Sequence, residues 1–149
     1  MKTIIADTSC LIIYDKIKQF EILHKTFPNL IVTHQVAEEF GDLPGWISIV
    51  KISDNQQYLK LSESLGKGEA SSITLALEEK NSLLIIDEKK GRKIAKELQI
   101  EIIGSLGILL KAKEKGIIKS VREILDSIDN TNFRVSDPIK QKLLKEAGE

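Results

Sequence analysis

The chain of 149 residues carries 22 basic and 22 acidic side chains, so its formal net charge is zero and global charge gives no reason to expect a polyanionic partner. That length closes one hydrophobic core rather than two, the single cysteine, Cys10, excludes an intrachain disulfide, and apolar runs such as residues 83–86 fall far short of the roughly 20 residues a membrane span requires. With 42% apolar but only 5% aromatic residues the core must be built from Ile, Leu, Val and Ala, and the lack of a basic, apolar and cleavable leader makes the reducing cytoplasm the expected location.

Short β-type runs alternate with longer stretches of helical period, the pattern of crossover units around a parallel sheet. The first strand is expected at residues 2–6, ending at Asp7-Thr8-Ser9, three residues that readily start a helix. Helices are expected over 10–17 and 20–26, then a turn at Pro28-Asn29 and a strand over 30–32. Thr33 can cap a helix to Phe40, which the run Gly41-Asp42-Leu43-Pro44-Gly45 breaks. Residues 46–52 alternate and are rich in Ile, so they read as a strand or an extended segment. Asp54 with Gln57 looks like a capping pair opening a helix to Leu65. Gly66-Lys67-Gly68 interrupts, and Glu69 begins a helix to Lys80 whose Ala70, Ile73, Ala76 and Leu77 share a face. Residues 83–86 form the clearest buried strand, followed by a helix over 88–98, a strand over 100–103 and a helix over 105–115. Ser120 and Glu123 form a second capping box for a helix over 121–128, and Asp137-Pro138 starts a final helix through Ala147. No repeat or linker divides the chain, so one domain over 1–149 is expected.

Charge is unevenly distributed: residues 89–122 hold ten Lys or Arg against three acids, a basic flank that permits nucleic acid without demanding it. In open parallel sheets ligands bind beyond the carboxyl ends of the strands, where Asp7 and Asp87 stand. Glu38 and Glu39 lie on the helix after the second strand, with Glu39 three residues from the apolar Val36, and Glu69 opens its helix after Gly68. Each acid alone also reads as a helix cap, a dipole partner or a solvated face. Gathered together, they would repel one another at a cost of several kcal/mol unless a cation compensated. All-oxygen ligands select Mg²⁺ or Mn²⁺, and a hard cation so held can activate water and offset charge on the leaving oxygen of a phosphodiester.

These residues resemble the PIN-domain nucleases, in particular the short prokaryotic branch described mainly as a domain of unknown function (DUF3368-like). The likeness covers nearly the whole chain. It rests on Asp7-Thr8-Ser9, Val36-Ala37-Glu38-Glu39-Phe40, Gly68-Glu69-Ala70, Ile86-Asp87-Glu88-Lys89-Lys90-Gly91-Arg92, Ile103-Gly104-Ser105-Leu106-Gly107 and the final Ala147-Gly148-Glu149. The resemblance implies a three-layer α/β/α fold around a mostly parallel sheet and a Mg²⁺- or Mn²⁺-dependent ribonuclease similar to the toxins of toxin–antitoxin pairs. An antitoxin protein and a homodimer would then be partners. Carried over by position, the catalytic and metal-site acids are Asp7, Glu39, Glu69 and Asp87, with Glu38 an alternative to Glu39 and Glu88 one that replaces or assists Asp87. Thr8 or Ser9 would hydrogen-bond Asp7 or a water beside it, and Arg92 and neighbouring lysines would meet phosphates. The position before the Val36 helix, usually proline in this branch, is Thr33, whose hydroxyl serves as a cap.

Other chemistry finds less support. His24 and His34 have no partner at zinc-ligand spacing, Gly66-Lys67-Gly68 lacks the spacing of a P-loop, and Cys10 lies among apolar residues with no basic neighbour. The competing readings are a catalytically silent RNA-binding or scaffold protein of the same fold, and a phosphorylated receiver-like domain, whose acceptor Asp and late Lys find no convincing place here. The helices beyond Ile117 offer apolar faces through which two subunits would pair.

Overall fold

Five strands form one sheet: β1 (Thr3–Ala6), β2 (Ile31–Thr33), β3 (Ser48–Val50), β4 (Ser82–Ile85) and β5 (Glu101–Ile103). They run in the order β3-β2-β1-β4-β5, every pair parallel, in a computed structural model that describes residues 2–149. The central register sets Ile5 opposite Leu84 and Ala6 opposite Ile85, so β1 and β4 end together. Around the sheet lie α1 (Thr8–Lys16), α2 (Phe20–Thr26), α3 (His34–Phe40), α4 (Asn55–Ser62), α5 (Lys67–Glu78), α6 (Lys89–Glu97), α7 (Gly107–Glu114), α8 (Val121–Asp129) and α9 (Asp137–Glu146).

Strand alternation divides the core into two layers. Ala6, Val32, Leu83 and Ile85 face α1, α2, α7, α8 and α9, where they pack with Leu11, Leu23, Leu109 and Leu125. Ile5, Leu84 and Ile86 face α4, α5 and α6 and pack with Leu61, Ile73 and Ala95. The result is the three-layer α/β/α arrangement with a parallel sheet. The apolar faces of α8 and α9 are spent inside this core, where Val121, Ile124, Leu125, Ile128, Leu143 and Leu144 are buried. Ile139 on α9 is the large apolar side chain that these two helices leave exposed, at 49%.

Several boundaries move for local reasons. The expected strand over 46–52 contracts to β3, an edge strand with Ser48 and Ile49 exposed. Helix α5 starts at Lys67, two residues before the expected start, because Gly66 takes an extended conformation as N-cap and Gly68 fits inside the first turn. It is also buried almost all round, beyond its apolar stripe: Ser71, Ser72 and Thr74 are enclosed, and their hydroxyls donate to the carbonyls of Gly68 and Ala70. Helix α7 starts at Gly107 instead of residue 105, since Ser105 is committed elsewhere. Thr33, Asp54 and Ser120 cap as expected, accepting from the amides of Val36, Gln57 and Glu123, while α9 begins at Asp137, one residue before Pro138, with Ser136 as its N-cap.

Candidate functional site

The carboxyl ends of β1 and β4 open into a cavity of about 450 Å³ lined by Asp7, Thr8, Ser9, Ile12, Glu39, Gly66, Gly68, Glu69, Asp87 and Glu88. Asp7, Glu39, Glu69 and Asp87 thus come to one place from four chain segments, with Glu88 beside them. Glu38 does not join them. It turns outward, with Oε1 2.8 Å from Nε2 of His34 on the exposed side of α3. His24 lies elsewhere, stacked on Trp46 with ring centroids 4.3 Å apart.

Asp7 occupies the N-cap position of α1, yet its carboxylate makes no capping bond, so the cap reading does not account for it. It is only 5% exposed. Burial pushes its pKa from 3.8 up to about 7, against the opposing pull of the Thr8 amide and with help from the negative charges of Glu39, Asp87 and Glu88. Glu69, in the first turn of α5, is likewise pushed up to about 7, first by burial, then by the adjoining Glu88 carboxyl and the charge of Asp7, while the Gly66 amide pulls the other way. Its Oε2 is buried and has no hydrogen-bond partner.

The hydroxyls beside Asp7 serve other acids than expected. Thr8 Oγ1 donates to Glu39 Oε1 at 2.9 Å, and Ser9 Oγ donates to Asp87 Oδ2 at 3.2 Å. Asp87 is held from a second side by Ser105, whose amide donates to Oδ1 at 2.7 Å and whose hydroxyl donates to Oδ2. Ser105 is fully buried, and its carbonyl accepts from Tyr14 Oη at 2.9 Å. Sequence reasoning gave this residue no role in the site, although the turn Ile103-Gly104-Ser105-Leu106-Gly107 was among the segments carrying the resemblance. Cys10 is fully buried beside this network, and desolvation pushes its thiol pKa well up.

Two glycines shape the cavity by what they lack. A Cβ at Gly68 would lie 2.0 Å from Glu39 Oε1 and 3.2 Å from Asp7 Oδ1, and one at Gly91 would lie 2.7 Å from Glu69 Oε2. Arg92 is half-buried, and its Nη1 donates to the Ile86 carbonyl at 2.8 Å, bracing the end of β4. The basic flank divides in the same way: Lys113 pairs with Glu149 and Lys115 donates to the Thr26 carbonyl, whereas the lysines of α6 stay exposed.

The donor set and the unpartnered Glu69 Oε2 are compatible with a hard divalent cation. As placed, the acids do not close on a point: among the described residues no three His, Cys, Asp or Glu side chains are grouped to hold an ion.

Fold and cavity together define a parallel α/β domain with an acidic cleft at the carboxyl end of its sheet. A family model described as a PIN domain (DUF3368) matches residues 3–149, and the chain belongs to that family, whose members are generally nucleases that use divalent metals. No curated protein and no solved structure matches it. No helix among the described residues is long and apolar enough to cross a membrane.

Proposed function

We propose that the protein is a Mg²⁺- or Mn²⁺-dependent ribonuclease that hydrolyses phosphodiester bonds at this cavity. The observation that carries the reading is the meeting of Asp7, Glu39, Glu69 and Asp87 around one cavity, with Asp7 nearly enclosed and Glu69 Oε2 lacking a partner. Carboxylates gathered around one cavity, with Asp7 nearly enclosed, repel one another, and a doubly positive ion is the compensation that suits all-oxygen donors. Asp7, Glu39, Glu69 and Asp87 would hold the ion, with Glu88 assisting. When bound, it supplies Lewis-acid polarisation and offsets charge on the phosphoryl group.

The chain's own part is orientation. Thr8 fixes Glu39, and Ser9 and Ser105 fix Asp87, so two of the acids keep their direction without the ion. Side chains set in advance lower the cost of reaching the reactive geometry. The choice of RNA follows from the family resemblance, as does the role of toxin in a toxin–antitoxin pair in the cytoplasm, with a small antitoxin protein covering the cleft. A homodimer belongs to the same reading.

Asp7→Asn tests the proposal. It should abolish Mn²⁺-dependent cleavage of single-stranded RNA while leaving the circular dichroism spectrum unchanged; a variant that cuts as well as wild type rejects it. The silent RNA-binding reading draws on the acids not closing on a point. Calorimetry separates the two, since absence of binding at millimolar Mn²⁺ or Mg²⁺ favours the silent protein.

A further inference from the structure

A line of lysines leads away from the cavity along α6. Gly91 and Ala95 are the buried positions of this helix, and the helical repeat sets Lys89, Lys93 and Lys96 on the opposite, exposed face. None of the three is in ion-pair contact with a carboxylate among the described residues, and Glu97 is the only acid within the helix. Solvated lysines on a helix are ordinary. What distinguishes these is where the line begins and what faces it across the cleft.

It begins at the cavity. Helix α6 follows directly from Glu88, and its Gly91 lies against Glu69 Oε2. On the other side the cavity continues, through shared Ile12 and Glu39, into a hollow of about 430 Å³ that carries Asp15 and Asp42. The charge is therefore polarised across the site, positive over α6 and negative over the mouth between α1 and α3. A phosphate chain passing the carboxylates is repelled on one side and drawn to the other.

We infer that α6 is the docking ridge for the backbone of a single-stranded nucleic acid, which leaves the cavity over Lys89, Lys93 and Lys96 and not between α1 and α3. The ridge is one lysine wide on a helix of 9 residues, about 13 Å long, which suits one backbone rather than the two of a duplex. The inference rests on the nuclease reading for the position of the bond to be cut, but the contact itself needs neither metal nor cleavage.

The test measures binding without divalent ion, in EDTA, by anisotropy of a labelled single-stranded RNA of about 15 nucleotides across a range of salt. K89E/K93E/K96E should weaken binding at least about tenfold and flatten the slope of log affinity against log salt by about 2. K111E/K142E/K145E makes the same change in charge on exposed residues of α7 and α9 and should stay within about twofold of wild type. Equal losses in both variants, no loss in either, no RNA binding by wild type, or equally tight binding of duplex RNA or a polyglutamate peptide would each overturn the ridge. The two readings fail separately. A protein that binds RNA through α6 and cuts nothing in Mn²⁺ keeps the ridge and removes the nuclease; one that cuts RNA equally well with and without the three lysines does the reverse.

Discussion

Ser105 and Gly68 bear directly on the placement of the acids, one by hydrogen bonds to Asp87 and the other by leaving room for Glu39. Ser105→Ala removes the hydroxyl that donates to Asp87 Oδ2 and leaves the amide bond to Oδ1, so Asp87 can swing about one anchor. Loss of such an orienting contact typically costs about 10–100-fold in activity or metal affinity, and Ser105→Thr, which restores the hydroxyl, should recover most of it in a cleavage assay and in Mn²⁺ titration. Gly68→Ala places a methyl group 2.0 Å from the present position of Glu39 Oε1, which sits at the end of a flexible side chain and will move away. The fold should lose less than about 1 kcal/mol, because alanine favours a helix more than glycine does, while cleavage falls by about 100-fold or more. Urea unfolding and turnover measured on the same preparation would show the two effects separately. The acids themselves were legible in sequence, because Asp7 and Asp87 follow apolar β runs and Glu69 follows a glycine break. Ser105 was not, since its role exists only once β5 pairs with β4 and brings residue 105 against residue 87.

At the level of elements, Thr33 ends β2 and caps α3. Its hydroxyl accepts from the Val36 amide at 3.1 Å and also bonds Ser71 Oγ at 2.7 Å, linking the start of α3 to the buried helix α5. Thr33→Ala should cost about 1–2 kcal/mol in denaturant unfolding, with Thr33→Ser recovering most of it; an unchanged midpoint in the alanine variant would show the cap to be idle. Caps of this kind were readable because their logic is confined to three or four residues. The contraction of β3 and the enclosure of α5 were not, as both depend on neighbours distant in sequence: β3 has a partner on one side only, and α5 is covered by β4, α3 and α4. Ser71, Ser72 and Thr74 lie inside with their hydroxyls satisfied by the helix's own carbonyls.

For the molecule as a whole, the cluster is a strain on stability that has a definite sign. Asp7 is raised from 3.8 to about 7 in the fold, so between these values the native state holds a proton that the unfolded chain has released. Stability contributed by the protonated form is complete below about pH 4 and lost as pH rises through 7, on the order of 4 kcal/mol for this group. Without divalent ion, Asp7→Asn should therefore melt roughly 8 to 16 °C above wild type at pH 8, with the gap closing toward pH 4. Mn²⁺ at a hundred times its Kd should add about 2.7 kcal/mol to wild type at pH 8 and much less to the variant; equal gains would place the ion elsewhere.

The strand order has a further consequence, in time. Because β1 lies at the middle of the sheet, its Asp7 and the Glu39 that follows β2 wait for partners that the chain supplies only at Glu69 and Asp87, and Asp87 waits for Ser105. The acidic cavity is therefore incomplete until some two thirds of the chain has been made and β4 has inserted beside the first strand. Synthesis from the N-terminus delivers the site late, as a product of the sheet's crossover order.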